Sequence, residues 1–164
     1  MAKSKKIKKA DKKRDLLKEN SPMLDSINKL PVSKVFTGNF IALPDVFLPD
    51  IADILMLTIG IGGENQTGSS NISIIEDPTF KPIVLEGSSE NPIPLKPCNS
   101  FDEKTLLIIS EITDTNKDPN NNVTSLSITL KAGANIVFND QHDTTVKTDG
   151  DTARFIYKIS CHVM

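Results

Sequence analysis

From residue 35 onward the sequence consists of short apolar segments, rich in β-branched residues, separated by clusters of Gly, Pro, Asn and Ser. Segment 124–130 alternates most regularly, with Leu126, Ile128 and Leu130 on one face and Ser or Thr on the other. This period of two is typical of strands that bury one face, and no helical period follows residue 31. Eight strands are predicted, over 35–43, 54–61, 71–76, 82–86, 105–113, 124–130, 134–139 and 153–163.

About eight short strands with turn signals between them favour an all-β fold, a two-sheet antiparallel sandwich of jelly-roll-like or immunoglobulin-like topology. The 164 residues are enough for one such domain at 35–164, preceded by an arm at 1–34. Pro92, Pro94 and Pro97 exclude a central strand between residues 86 and 101, because proline cannot donate to the hydrogen-bond ladder of a sheet.

The net charge of −2 conceals an uneven distribution along the chain. Residues 1–34 contain eleven Lys or Arg and four Asp or Glu, a local charge of +7. Residues 35–164 contain eight basic and seventeen acidic residues, a local charge of −9. A basic arm on an acidic domain leaves three interpretations open: the arm contacts a polyanion, it docks on another protein, or it is a solvated tail that aids solubility. The cations expected to make these contacts are Lys3, Lys5, Lys6, Lys8, Lys9, Lys12, Lys13 and Arg14.

The arm is also predicted to contain short helices. Segment 7–19 lacks Pro and Gly but has a thin apolar stripe, so its helix needs a partner to be stable. Ser21 and Pro22 are a favourable helix start, and Pro31 ends the second helix. Its apolar side is predicted to pack on the domain or on a neighbouring subunit, through Met23, Leu24, Ile27 and Leu30.

No export signal or membrane span is recognised in the sequence. No apolar segment follows the basic residues of the arm, as a secretory signal requires, and the longest apolar segment, 51–61, is too short for a transmembrane helix. We therefore expect a virion or cytoplasmic location and no membrane partner. In such a location Cys98 and Cys161 are expected to be reduced thiols rather than a disulfide.

One segment resembles the beginning of a calcium-binding loop. Asp114, Asn116 and Asp118 supply oxygen ligands at alternate positions, but Pro119 and Ser125 stand where an EF-hand needs Gly and Glu. A looser calcium site on a hairpin loop and a polar turn bonded to its own backbone both remain open.

The sequence offers little for catalysis. The chain has two His and two Cys, and alternation places the neighbours Cys161 and His162 on opposite faces of a strand. Glu76 and Asp77 are adjacent carboxylates, which we expect to be solvated at the end of a strand rather than to converge on a substrate. We therefore expect no enzyme activity and no cofactor.

A basic arm on a β-sandwich of this size resembles, in architecture only, the small proteins of virions: capsid, penton or head-decoration subunits. The resemblance implies an oligomeric structural protein whose arm reaches neighbouring subunits or nucleic acid. The alternative is a soluble β-sandwich module that binds a glycan, a peptide or calcium through its loops at 62–70, 87–100, 114–123 and 139–151.

Overall fold

A computed structural model describes residues 36–62, 65–115, 122–148 and 150–164 of the chain. These residues form ten strands and one 3-10 helix (Cys98–Ser100). The strands are β1 (Phe36–Ala42), β2 (Asp45–Leu48), β3 (Ile54–Gly62), β4 (Gln66–Ile75), β5 (Ile83–Glu86), β6 (Ile93–Pro97), β7 (Lys104–Asp114), β8 (Val123–Ala132), β9 (Asn135–Thr145) and β10 (Thr152–Val163). The predicted all-β architecture is confirmed, and the predicted arm at 1–34 lies outside the described residues.

The strands form two sheets. The six-stranded sheet has the order β1-β10-β7-β4-β5, with β2 also paired to β10, and the four-stranded sheet has the order β6-β3-β8-β9. Most pairs are antiparallel, but β1 and β2 both run parallel to β10. The prediction of a wholly antiparallel sandwich was therefore wrong at this edge. The chain reaches β10 from the opposite sheet, so its direction is not set by a hairpin with β1 or β2.

One hydrophobic core joins the inner faces of the two sheets. The predicted inward residues of β8, namely Leu126, Ile128 and Leu130, are fully buried. On β10, Phe155 and Tyr157 are fully buried as well. Full burial of one such side chain contributes about 1.5–3 kcal/mol, so alternation along a few strands accounts for much of the stability.

Two glycines leave room for a residue of the opposite sheet. A Cβ at Gly68 on β4 would lie 2.6 Å from the carbonyl oxygen of Glu111 and 2.9 Å from the Ile61 side chain of the opposite sheet. A Cβ at Gly38 on β1 would lie 2.4 Å from Thr144 Cγ2 on β9. The two sides of the sandwich therefore close only because these positions lack a side chain.

The described residues contain ten strands where about eight were predicted, and several predicted loops are shorter than expected. Loop 62–70 was assigned too long, because β4 begins at Gln66. Loop 87–100 contains β6, and loop 139–151 contains the second half of β9. The strand β6 lies at the edge of its sheet, which agrees with the exclusion of a central strand by its prolines.

Candidate functional site

The residues predicted to make the arm's contacts lie outside the described part of the chain. They stay predictions for nucleic-acid or subunit contact at Lys3, Lys5, Lys6, Lys8, Lys9, Lys12, Lys13 and Arg14, and for subunit packing at Met23, Leu24, Ile27 and Leu30.

The proposed calcium ligands are only partly described. Asp114 is the last residue of β7, and its side chain is buried. Its backbone is bonded to the loop before β10, since Asp114 N donates to Asp151 O and Gly150 N donates to Asp114 O. Asn116 and Asp118 lie outside the described residues, so this site stays a prediction. Elsewhere in the described ranges no three His, Cys, Asp or Glu side chains are grouped as a metal site requires.

The two cysteines are free thiols inside the core. Cys98 and Cys161 are both fully buried, and His162 lies on the opposite face of β10, as alternation predicted. Burial raises the pKa of Cys161 to about 11 and also raises the pKa of Cys98. Because the thiolate is the reactive form, neither cysteine is suited to act as a nucleophile.

We expect a thiol reagent such as Ellman's reagent to modify the folded protein at least about tenfold more slowly than the unfolded chain, because both thiols are buried and protonated. The measurement is the rate of absorbance change with and without guanidinium. A rapid stoichiometric reaction of the folded protein would contradict the burial of both side chains.

The expectation of solvated carboxylates was wrong for Asp77. Its side chain is only 6% exposed, and Lys96 Nζ lies 2.6 Å from Asp77 Oδ2. Lys104 Nζ lies 3.7 Å from the same oxygen. Asp77 Oδ1 accepts hydrogen bonds from the Thr79 amide and hydroxyl at 3.0 Å and 2.6 Å. Lys96 belongs to β6 and Lys104 to β7, so this carboxylate ties the two sheets together.

Asp77 is expected to make stability depend on pH. The hydrogen bonds from Lys96 and then Thr79 hold the pKa of Asp77 well below its usual range. Its contribution to stability is therefore complete above the unfolded pKa of about 4 and is lost as the pH falls below that value. Asp77→Asn should lower the melting temperature at pH 7 and flatten its decline between about pH 5 and pH 2.

The measurement is the melting temperature by circular dichroism at a series of pH values. Glu90→Gln, which neutralises an exposed carboxylate, is the matched control and should keep the wild-type profile. Identical profiles for the two variants would show that Asp77 does not stabilise the fold through its charge.

An aromatic cluster closes the side of the sandwich between β1 and β9. Tyr157 Oη donates to Asp140 Oδ2 at 2.9 Å, which links the six-stranded sheet to the four-stranded sheet. The Phe40 ring stacks on His142 with 3.5 Å between centroids, and it lies 5.5 Å from the Tyr157 ring. Burial, and then the bond to Asp140, raise the pKa of the Tyr157 phenol, so it remains a protonated donor. The cluster therefore connects the sheets rather than activating a nucleophile.

The outer face of the six-stranded sheet carries a row of apolar side chains, which we call the isoleucine row. The strand register aligns Ile41, Ile156, Ile109, Asn71 and Val84 across β1, β10, β7, β4 and β5. Ile41 and Val84, at the two ends, are 61% and 66% exposed. Four of five side chains in one solvent-facing row are thus apolar, which is unusual for a sheet face that only water covers.

Polar residues border the isoleucine row on one side. The adjacent row contains Asn39, Arg154, Glu111, Ser69 and Glu86 in register. Within it Arg154 Nη2 forms an ion pair with Glu111 Oε1 at 2.9 Å. An apolar centre with a polar rim is the usual anatomy of a protein interface.

On the other side of the isoleucine row lie Lys158, Leu107 and Ser73, again in register. Leu107 is 8% exposed and does not belong to the core cluster, so it adds apolar surface to the outer face rather than to the interior.

The outer face of the four-stranded sheet has the opposite character at its centre. Its middle rows are Thr58–Thr129–Asn139 and Gly60–Ser127–Gln141. Small and polar side chains there are typical of a sheet surface in contact with water. At one end of this face, however, the row Pro94–Met56–Lys131–Ile136 is mostly apolar, and Ile136 is 60% exposed. The two sheets therefore differ in the centre of their outer faces.

Sequence reasoning did not identify this surface. Its residues come from five strands that are distant in the sequence, and single exposed Ile or Val residues carry no signal. Ile109 and Ile156 are apolar residues at outward positions, where alternation expects polar ones. Only the strand register shows that they lie beside Ile41.

In the described part of the chain no helix has the length and hydropathy needed to cross a membrane. No family model matches the chain, and comparison with curated proteins and with solved structures finds no significant match. Function is therefore inferred from the surfaces of the protein itself.

Proposed function

We propose that the protein is a non-enzymatic structural subunit that assembles with other copies or with other subunits. The observation that carries the proposal is the isoleucine row, because an exposed apolar row with a polar rim favours association with another protein. The opposite face has a polar centre, and its exposed apolar side chains are at one end, around Ile136.

The uneven charge of the chain is the second support. An arm of +7 and a domain of −9 attract opposite partners, so copies of the chain can associate through arm and domain surfaces. The arm is equally suited to neutralise phosphates, which gives nucleic-acid binding that depends on salt and not on base sequence. Assembly through the domain with nucleic acid held by the arm combines both properties.

A virion protein is the specific form of this proposal. A small β-sandwich with a basic arm has the architecture of capsid, penton and head-decoration subunits. The proposal includes a jelly-roll-like topology and a virion or cytoplasmic location. Fold alone does not determine function, so the proposal depends on whether the protein assembles.

Light scattering coupled to size-exclusion chromatography tests the proposal. The full chain is expected to elute at a multiple of the monomer mass at high micromolar concentration. A variant with eight of the eleven arm cations, those between Lys3 and Arg14, replaced by glutamine separates arm-dependent from domain-dependent association. A chain that remains monomeric at every concentration, with and without added nucleic acid, would contradict an assembly role.

A further inference from the structure

We propose that a second copy of this chain covers the isoleucine row, in a two-fold symmetric dimer whose six-stranded sheets pack face to face. The inference rests on the proposed assembly function and adds the partner and the geometry. The two-fold axis lies in the interface and runs along β7, so it exchanges the β1 side of one sheet with the β5 side of the other.

Three of the four apolar side chains of the row meet apolar side chains across this axis, and Ile156 meets Asn71 of the partner subunit. Ile109 on β7 is at the middle of the row, and the exposed residues Ile41 and Val84 each lie two strands away from it. The rotation therefore places Ile41 against Val84 of the partner subunit, and Ile109 against Ile109 of the partner subunit. Leu107, which also lies on β7, meets its own copy beside them. This is the pattern that an isologous interface requires.

The charges of this face favour the same arrangement. Within the three rows two cations, Arg154 and Lys158, balance two anions, Glu111 and Glu86. The domain as a whole carries −9, so two copies repel each other over most surfaces but not through this neutral one. The rotation places Glu111 against Glu111 of the partner subunit, and the Arg154 paired with each Glu111 flanks this contact, so the group of four charges has no net charge.

The alternative two-fold axis, which runs across the strands, is less favourable. It would place the row of Arg154 against the row of Lys158 of the partner subunit, and so bring like charges together. It would also place Ile41 against Ile41 of the partner subunit, a difference that a cross-linking experiment detects.

The size of the face sets the expected affinity. Five strands about 4.8 Å apart and three rows about 6.8 Å apart cover roughly 500 Å² of flat sheet per copy. Because side chains project from the sheet, the accessible area is larger than this flat area and approaches the roughly 800 Å² per partner of a standard specific interface. We therefore expect a reversible dimer, or one contact within a larger assembly, rather than an obligate dimer.

Cysteine cross-linking of the full chain tests the geometry. Ile41→Cys and Val84→Cys are made as separate variants, mixed in equal amounts and treated with a bismaleimide that spans about 10 Å, the distance between two packed sheets. The mixture is expected to give a covalent dimer several-fold more efficiently than either variant alone. Each chain carries one introduced thiol, so every cross-link between introduced thiols joins two copies. The native thiols are fully buried and do not compete.

Ile136→Cys is the matched control, because Ile136 is 60% exposed but lies on β9 of the other sheet. Its mixture with Val84→Cys should show only background cross-linking. Efficient cross-linking of Ile41→Cys with itself would overturn the proposed axis. Equal cross-linking of all three cysteine variants would overturn the proposed interface.

Lysine substitution separates this inference from the proposed function. Ile41→Lys combined with Val84→Lys should weaken self-association roughly tenfold or more, because it places unpaired charges in an apolar contact. Ile136→Lys should leave self-association unchanged. The chain could assemble while neither the lysine variant nor the mixed cysteine variants behave as stated. In that case the face is covered by something other than a second copy, and this inference fails while the assembly function stands. A chain that is monomeric in every form contradicts both.

Discussion

Replacement of Tyr157 by alanine is expected to lower the free energy of unfolding by about 3–5 kcal/mol. The ring is fully buried between the two sheets, where it contacts Phe40 and donates a hydrogen bond to Asp140 on β9. Alanine removes the ring, leaves a cavity and leaves the Asp140 carboxylate without this donor. Because a domain of this size is stable by only about 5–15 kcal/mol, the variant should retain little stability.

Tyr157→Phe separates the two parts of this effect. It keeps the ring and removes only the hydroxyl, so we expect a loss of about 1–2 kcal/mol, typical of a hydrogen bond to a partly exposed carboxylate. Urea denaturation followed by circular dichroism measures both variants. If Tyr157→Phe were as stable as the wild type while Tyr157→Ala lost several kcal/mol, ring packing alone would hold this side of the sandwich.

Replacement of Gly68 by valine is expected to cost about 3 kcal/mol, at the upper end of the cost of overpacking a core. The new Cβ would lie 2.6 Å from the carbonyl oxygen of Glu111 and 3.2 Å from the Ile112 Cα, both in the backbone of β7. Backbone atoms of a central strand cannot move aside without disturbing the pairing of that strand with β10. The strand β4 must therefore separate from β7 or from β3.

Gly60→Ala provides the control for this prediction. A Cβ at Gly60 would meet Ser127 Oγ at 2.4 Å, but that atom is the end of a side chain that can rotate into solvent. We expect a change of less than about 1 kcal/mol, with the entropy lost by the unfolded chain favouring alanine. The midpoint of urea unfolding measures both variants. Similar midpoints would show that Gly68 is not needed for the approach of the two sheets.

The hydrophobic pattern predicted the strands whose inner residues are apolar. It did not predict the first half of β4, because the inner positions there are Gly68 and Ser70. Ser70 Oγ lies 2.7 Å from Ser110 Oγ in a buried hydrogen bond, so polar groups satisfy each other where alternation expects apolar side chains. A hydrogen bond between residues that are far apart in the sequence leaves no local signal in it.

The second half of β9 was not predicted, for a related reason. Its inward residues are Asp140, His142 and Thr144, which read as a polar loop in the sequence. In the structure the first two meet Tyr157 and Phe40, and Thr144 lies against Gly38. The burial of each polar group depends on a partner from another strand, so only tertiary structure makes this segment a strand.

The candidate surface was still harder to predict. Composition and charge drew attention to the arm and not to this surface. The isoleucine row depends on the parallel pairing of β1 with β10, and the expected antiparallel pairing would have aligned other residues of the two strands. A shift of one residue in that pairing would turn Ile41 toward the core and Phe40 toward solvent.

The position of β10 has a consequence for how the domain forms during synthesis. This strand follows the nine other described strands in the chain, yet it lies between β7 and the pair β1 and β2 in the six-stranded sheet. Until residues 152–163 have left the ribosome, β1 and β2 lack the strand to which they hydrogen-bond. The inner side chains of β7 also lack their neighbours Phe155 and Tyr157 of β10. Folding must therefore wait for nearly the whole domain and then close contacts more than a hundred residues apart, which predicts slow folding and dependence on protection of the early strands.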